Sequence, residues 1–333
     1  MASPQMKAPT LSILLTFLFC ICGSFVSGEY ANFEKLVLPE GVIGPGAVTF
    51  GGLLAPGPFI TVTDGRIMKW AGPTIGFVDF AYTSPTRTKQ FCDGTTDPEK
   101  GPICGRPMGL SFHPVTGLLY VTDAYFGLLV VGPLGGLATK LAGGFKFANG
   151  IDIDLLTGHV YFSDASLTYT PKDAVKPGFI PDSSGRLLRY ESLTGKLTVL
   201  LSGLSGGGGP VVSGDGKFLL VSEINSFRIS KYWLVGPKEN TVEVLLNTNG
   251  SPNKIKRGEK PEEFWVSTSR IGYVPPKAVI IPEGVRFNST GYVLQTVPFV
   301  TQYSNNVTSL VQEKYGKLYV GSLFTNFVGV YSN

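Results

Sequence analysis

The chain has 333 residues, a formal net charge of +4 and 16% charged residues. The charges are spread without a basic run, which argues against nucleic acid as a partner. Gly (43) and Pro (24) are plentiful, as many short strands joined by tight turns require.

Residues 1–28 differ in kind from the rest. Lys7 supplies a positive start, Leu11 to Cys22 is an apolar stretch of 12 residues, and small residues follow at Val26-Ser27-Gly28. The stretch is short for a bilayer span and has the build of a cleaved signal peptide, with an uncleaved N-terminal anchor as the alternative. No later run approaches a spanning length, so the mature chain is expected to be free of the membrane and delivered to the secretory pathway. Cys20 and Cys22 leave with the signal. Cys92 and Cys104 remain, flanking an 11-residue polar loop, and in an oxidising compartment they read most simply as one disulfide. In the same compartment Asn288-Ser-Thr290 and Asn306-Val-Thr308 are glycosylation acceptors, and Asn249-Gly-Ser251 is a weaker one because Pro252 follows.

From Gly44 onward a short phrase recurs: a turn, a β-branched or aromatic strand, then a small or acidic residue. Its copies are Gly117-Leu-Leu-Tyr-Val-Thr-Asp123, Gly158-His-Val-Tyr-Phe-Ser-Asp164, Lys217-Phe-Leu-Leu-Val-Ser-Glu223, Glu263-Phe-Trp-Val-Ser267 and Gly316-Lys-Leu-Tyr-Val-Gly321. A unit repeated at this spacing is the signature of a β-propeller blade. Six blades can be drawn, giving an all-β, six-bladed propeller over 29–333 as a single domain. The first runs from Gly44 to Val78 with a strand at Arg66 to Trp70. The second opens at Gly105 to Phe112, and the third at Asn149 to Asp154, with a polar insertion from Tyr169 to Ser184 that has room for a turn or two of helix at Pro171 to Lys176. The fourth uses Pro210 to Glu223 and Arg228 to Trp233. The fifth contains Pro252 to Ile255, Phe264 to Ser267 and a strand at Gly291 to Thr296. The sixth has Ser309 to Gln312, Leu318 to Gly321 and Val328 to Tyr331. A strand at Phe33 to Leu38 is expected to complete the last blade and close the ring, which removes exposed sheet edges.

Propellers place ligands where the inner strands converge. The residues opening those strands are Gly46, Pro107, Asn149, Gly208 to Pro210, Asn253 and Thr308 to Ser309, and a small-molecule ligand in the central channel is the expected partner. The oligomeric state is not legible. Asp123, Asp164 and Glu223 recur at one blade position and read as acids that tie neighbouring blades through backbone N–H groups or Arg. Asp152 and Asp154 read as turn residues, and His113 and His159 as surface residues of blade turns. Neither histidine has a Ser or Asp partner that would support a Ser-His-Asp hydrolase.

Several of these phrases together resemble the strictosidine synthase family of plants. They are the Cys92…Cys104-Gly-Arg-Pro107 segment, Asp123-Ala-Tyr-Phe-Gly-Leu128, Asn149-Gly-Ile-Asp-Ile-Asp154, Gly185-Arg-Leu-Leu-Arg-Tyr190, Arg228-Ile-Ser-Lys-Tyr-Trp233 and Phe264-Trp-Val-Ser267. The resemblance runs in order through the mature chain and implies a glycosylated propeller of the vacuole or another secretory compartment. The family's founding enzymes, of alkaloid biosynthesis, join tryptamine to the aldehyde secologanin in a Pictet–Spengler condensation. A glutamate at the start of the last blade's inner strand exchanges the protons. Here Gln312-Glu313 and Gly316 to Gly321 match the family pattern, the catalytic glutamate falls on Ser309, and the preceding histidine becomes Val307. A hydroxyl cannot serve as that base, and Glu313, the nearest acid in sequence, reads as solvent-facing. The resemblance therefore implies a strictosidine synthase-like protein without the condensation. Two readings remain: action on another small molecule, such as ester or lactone hydrolysis, or a non-catalytic luminal propeller that binds a small molecule or a partner. The family is related in shape to calcium-dependent lactonases, whose metal is held by Glu, Asn and Asp. Asn149 and Asn253 fall at two of those positions, but Gly46 and Gly208 fill the other two, which is too few for a convincing Ca²⁺ site.

Overall fold

A computed structural model describes residues 30–52, 56–274 and 276–333. The leader expected over 1–28, with Cys20 and Cys22, lies outside the described residues.

The chain is built almost wholly of short antiparallel strands. β1 (Asn32–Val37) is followed by β2 (Val48–Thr49), β3 (Phe59–Thr61), β4 (Arg66–Trp70) and β5 (Phe77–Tyr82). Then come β6 (Pro107–Phe112), β7 (Leu119–Asp123), β8 (Gly127–Val131), β9 (Gly136–Leu137) and β10 (Thr139–Ala142). β11 (Ala148–Ile153), β12 (Val160–Asp164), β13 (Gly185–Tyr190) and β14 (Leu197–Leu204) form the next sheet in chain order. β15 (Gly207–Val212), β16 (Phe218–Glu223), β17 (Arg228–Trp233) and β18 (Val242–Asn247) repeat that plan. So do β19 (Ser251–Arg257), β20 (Glu263–Val274), β21 (Lys277–Asn288) and β22 (Val293–Pro298). A single parallel bridge, Gly209 to Lys254, joins these two runs into one eight-stranded sheet. The last strands are β23 (Leu310–Lys314), β24 (Lys317–Gly321) and β25 (Phe327–Ser332).

β1 pairs antiparallel with β25, from Asn32 opposite Ser332 to Val37 opposite Phe327. The chain's two ends thus share one sheet, ordered β1-β25-β24-β23. The first strand of each run touches its counterparts on both sides: β2 with β6, β6 with β11, β11 with β15, β15 with β19, β19 with β23, and β23 with β2. The result is a propeller-like closed cycle with these strands innermost.

The strand sequences explain the pattern. Gly117 and Gly158 occupy the same hairpin turn of successive units, with φ of 67° and 70°, a region where a side chain is strained. After each turn, alternate β-branched and aromatic residues pack against the next sheet. Six core clusters result, each drawing on two consecutive sheets. One sets Val211, Leu220 and Ile229 against Ile255, Val266 and Phe287; another sets Leu36, Val328 and Leu310 against Val48, Ile60 and Met68. Each such side chain contributes about 1.5–3 kcal/mol on burial.

Two strand expectations need correction. The fifth run holds an additional long strand, β21, and its last strand is Val293–Pro298 rather than Gly291 to Thr296. β20 and β21 pair over 12 residues, from Glu263 opposite Asn288 to Val274 opposite Lys277. The insertion carries one helical turn, α3 below, and the disulfide loop holds two further turns.

α1 (Lys89–Cys92) and α2 (Gly101–Cys104) flank a 3₁₀ turn at Pro98–Lys100, and α3 is Pro171–Ala174. Cys92 and Cys104 form a disulfide with Cα atoms 5.5 Å apart, and both residues are fully buried. The loop lies over the inner end of the β3–β5 sheet: Thr63 Oγ1 donates to the Thr95 carbonyl, and the Gly94 N–H donates to Asp64. Replacing both cysteines by serine is expected to lower the unfolding free energy by about 3 kcal/mol, the entropy of closing a loop of this size. Denaturant titration of the double variant beside the parent checks this.

Candidate functional site

Two small side-chain devices, both inside the repeated phrase, hold the sheets together. The first is a hydroxyl near the end of the phrase, which precedes the acid in three copies and Thr268 in the fourth. Thr122 donates to the Asn149 carbonyl, Ser163 to Gly208 (3.0 Å), Ser222 to Asn253, and Ser267 to Thr308 (2.8 Å). Each hydroxyl thereby ties its own sheet to the innermost strand of the next, for about 0.5–1.5 kcal/mol apiece.

The second is the acid itself. Asp123 is fully buried and accepts from Thr83 Oγ1 (2.6 Å) and the N–H groups of Arg106 (2.7 Å), Tyr125 (2.9 Å) and Phe126 (3.1 Å). Asp164 accepts from the Phe147 N–H (2.9 Å) and from Arg186 (2.6 Å). Glu223 accepts from Arg228, Ser230 and the Ser205 N–H. Burial pushes the Glu223 carboxyl up, yet Arg228 and Ser230 outweigh it and hold the group below its ordinary value. Asp123 reaches the preceding sheet through Thr83, whereas the partners of Asp164 and Glu223 lie in their own sheet or the segment leading into it, so these two tie strands within a sheet rather than neighbouring blades as expected.

With these ties in place, the chain delivers its sequence-nominated residues to one end of the innermost strands. β6, β11, β15 and β19 each carry a register irregularity there: between Pro107 and Gly109, Ala148 and Ile151, Gly207 and Pro210, and Pro252 and Ile255. Bulges re-aim side chains and free backbone from pairing, and Asn149, Gly208 and Asn253 lie within them. Asn149 is 3% exposed and Ser309 is 1% exposed. Asn149 Nδ2 donates to the Gly207 carbonyl at 3.1 Å, and Ser309 is fixed by its N–H on Gly321 and its carbonyl on the Lys254 N–H. Asn149 Oδ1, Asn253 Oδ1 and Ser309 Oγ are nonetheless buried without a hydrogen-bond partner among the described residues. Buried polar atoms are rarely left so.

Between them sits a residue that the sequence reading passed over. Lys254 is 3% exposed and lies against Gly209, where an added Cβ would come 3.0 Å from Lys254 Cγ. Burial, and then the charge of Lys256, lower the Lys254 ammonium to about 7.

Three expectations are corrected. Glu313 is buried and accepts from Trp265 Nε1 (3.1 Å), the Glu259 N–H (3.0 Å) and Tyr30 Oη (3.2 Å). Its surroundings come from distant segments, so its adjacency to a turn misleads. Asp152 lies on β11 rather than in a turn, paired with Arg257 of β19 across β15. Asp154 does shape its turn, accepting from the Leu156 N–H and Thr157 Oγ1. His113 and His159 are half-buried, not surface groups. His113 Nδ1 accepts from the Val115 and Thr116 N–H groups, and its ring lies against Gly158 of the next turn.

The donor set does not fit calcium. Asn149, Asn253 and Ser309 offer neutral oxygens only, and Gly46 and Gly208 have no side chains. Ca²⁺ calls for six to eight oxygens, carboxylates included. Among the described residues no cluster of three His, Cys, Asp or Glu could hold a metal ion.

Asn288, Asn306 and Asn249, the glycosylation acceptors, lie away from this end of the strands or in its connecting loops. Asn249 is exposed and Asn288 and Asn306 are half-exposed. Asn288 Oδ1 accepts from Thr290 and the Tyr292 N–H.

An all-β propeller with three unpartnered side-chain oxygens where the inner strands begin defines the class of protein. The model of the strictosidine synthase family matches residues 149–237. Protein strictosidine synthase-like 11 of Arabidopsis thaliana is 39% identical over 98% of this chain and 99% of its own length. The strictosidine synthase of Catharanthus roseus is 38% identical over 89% of this chain and 86% of its own. The chain belongs to the strictosidine synthase family. Among solved structures, a gluconolactonase of Xanthomonas campestris shares the fold with a TM-score of 0.60 over 91% of each chain, at 15% identity.

Proposed function

We propose that this chain is a six-bladed, strictosidine synthase-like propeller that binds a small molecule at the start of its innermost strands and does not perform the family's condensation. The observation that carries the proposal is the set of three unpartnered oxygens, Asn149 Oδ1, Asn253 Oδ1 and Ser309 Oγ. A ligand presenting hydroxyl or amine donors would satisfy them, and the desolvation cost of leaving each alone, about 1–3 kcal/mol, favours such a ligand. Ester or lactone hydrolysis has weaker support: Ser309 Oγ has no base on it, and the donor set is a poor metal site. The disulfide supports a secretory destination, whether vacuolar or extracellular. Glycosylation at Asn288, Asn306 and Asn249 is part of the same proposal.

Thermal unfolding of the purified mature chain against a panel of plant amines and polyols tests the reading. A ligand at 100 times its Kd stabilises by about 2.7 kcal/mol, and Ser309→Val together with Asn149→Leu is expected to abolish the shift. EDTA is expected to leave it unchanged. Turnover of an aryl ester or lactone that EDTA removes would overturn the proposal.

A further inference from the structure

The other end of the innermost strands carries chemistry that the proposed site does not use. A cavity of about 260 Å³ opens there, bounded by Thr49, Ser111, Asp152, Lys256, Arg257 and Lys314 among others. These residues come from β2, β6, β11, β19 and β23, so the cavity lies on the axis of the cycle.

Its charges are unbalanced. The carboxylate, Asp152, is already committed: Oδ2 accepts from the Val212 N–H (2.9 Å) and Oδ1 from Arg257 Nη2 (3.0 Å), while Arg257 Nη1 also donates to the Val212 carbonyl (2.9 Å). Lys256, Arg257 and Lys314 therefore face one spent acid. Lys256 is 8% exposed, and its ammonium has no hydrogen bond or ion pair among the described residues. Two residues earlier Lys254 is buried as well, and the Lys256 charge lowers its ammonium further. Ser111 and Gln312 bring neutral polar groups to the same wall.

An ammonium buried without a counterion is costly, and a ligand that supplies the counterion removes the cost. We propose that this end of the channel is a binding site for a small multivalent oxyanion, a carboxylate or a phosphate, held by Lys256 with Lys314 and Ser111. The cavity is smaller than a drug-sized pocket, which limits the ligand to a few heavy atoms. Burial lowers the Lys256 ammonium; Asp152 opposes that effect and Arg257 adds to it. The bound anion favours the charged form, so binding is coupled to proton uptake and weakens as pH rises through the lowered lysine value.

Calorimetric titration of the mature chain with inorganic phosphate and, separately, with succinate tests the proposal. Sodium chloride at matched ionic strength serves as the control. Saturable binding of either anion, weaker at pH 8 than at pH 6 and accompanied by proton uptake in buffers of different ionisation heat, is the expected result. Tighter phosphate identifies a phosphorylated ligand, and tighter succinate a carboxylate. Lys256→Met is expected to weaken binding at least tenfold and Lys314→Met to weaken it less. Lys196→Met, on an exposed turn of another sheet, should leave it unchanged. Should Lys256→Met fail to fold, Lys314→Met and Ser111→Ala carry the test. No saturable heat with either anion, or equal affinity in the variants and the parent, overturns the proposal.

Discussion

Asp123→Ala is expected to lower the unfolding free energy by about 3–5 kcal/mol, because it strands several buried hydrogen-bond donors at once. The Asp123 carboxylate is fully buried and takes four donors: one hydroxyl, from Thr83, and three backbone N–H groups, from Arg106, Tyr125 and Phe126. Alanine removes every acceptor at once. The Thr83 hydroxyl can turn elsewhere, but the N–H groups cannot, and each buried orphan costs about 1–3 kcal/mol. The bonds also span elements: Thr83 follows β5, Arg106 precedes β6, and Tyr125 and Phe126 turn β7 into β8. The loss is therefore cooperative rather than local. In a chain of this length the melting temperature should fall on the order of 10 °C. Asp123→Asn keeps one carbonyl oxygen but turns an amide toward the Arg106 N–H, so it should fall between parent and alanine. Denaturant and thermal unfolding of the three proteins checks the order. An alanine variant within about 1 kcal/mol of the parent would show that water replaces the carboxylate, contrary to its burial.

Much of this was legible in the sequence because the repeated phrase encodes local physics. Strand, turn and strand recur with a glycine at a positive-φ turn, and Asp123 read correctly as a tie to the neighbouring sheet, while Asp164 and Glu223 tie strands of their own. Closure by β1 was legible because β25 ends where a partner is needed. β21 was not, since Pro275 and Pro276 stand just before it in the sequence and Pro282 falls within it, and its pairing with β20 runs over 12 residues that the repeated phrase does not announce. Glu313 and Asp152 were misread for a different reason. What buries Glu313 is Trp265, Glu259 and Tyr30, and what holds Asp152 is Arg257, residues 48, 54, 283 and 105 positions away. No local pattern reports such partners. The candidate site lies between these cases: its strands were evident, whereas the bulges that aim Asn149 and Asn253, and the lysine between them, emerge only from the register of neighbouring strands.

Given tryptamine and secologanin, the mature chain is expected to form strictosidine about 10²–10⁴-fold more slowly than the Catharanthus roseus enzyme assayed beside it. That factor is what a positioned general acid–base group contributes. The resemblance implies that the family's glutamate falls on Ser309, whose hydroxyl is buried without a hydrogen-bond partner among the described residues. Glu313 cannot move in to replace it, because Trp265 Nε1, the Glu259 N–H and Tyr30 hold it on the far side of the strand end. Lys254, whose backbone N–H donates to the Ser309 carbonyl, is a titratable group on the adjoining strand, and burial with the Lys256 charge lowers its ammonium to about 7. An amine is nonetheless a poor substitute here. Whenever it holds the proton it must deliver, it confronts the substrate's own ammonium as a like charge, a juxtaposition that costs several kcal/mol. A rate close to that of the Catharanthus enzyme would mean that a base at another position performs the step. Lys254→Met and Glu313→Gln, each assayed for product and for folding, would then say which: the variant that folds yet loses the rate carries the proton.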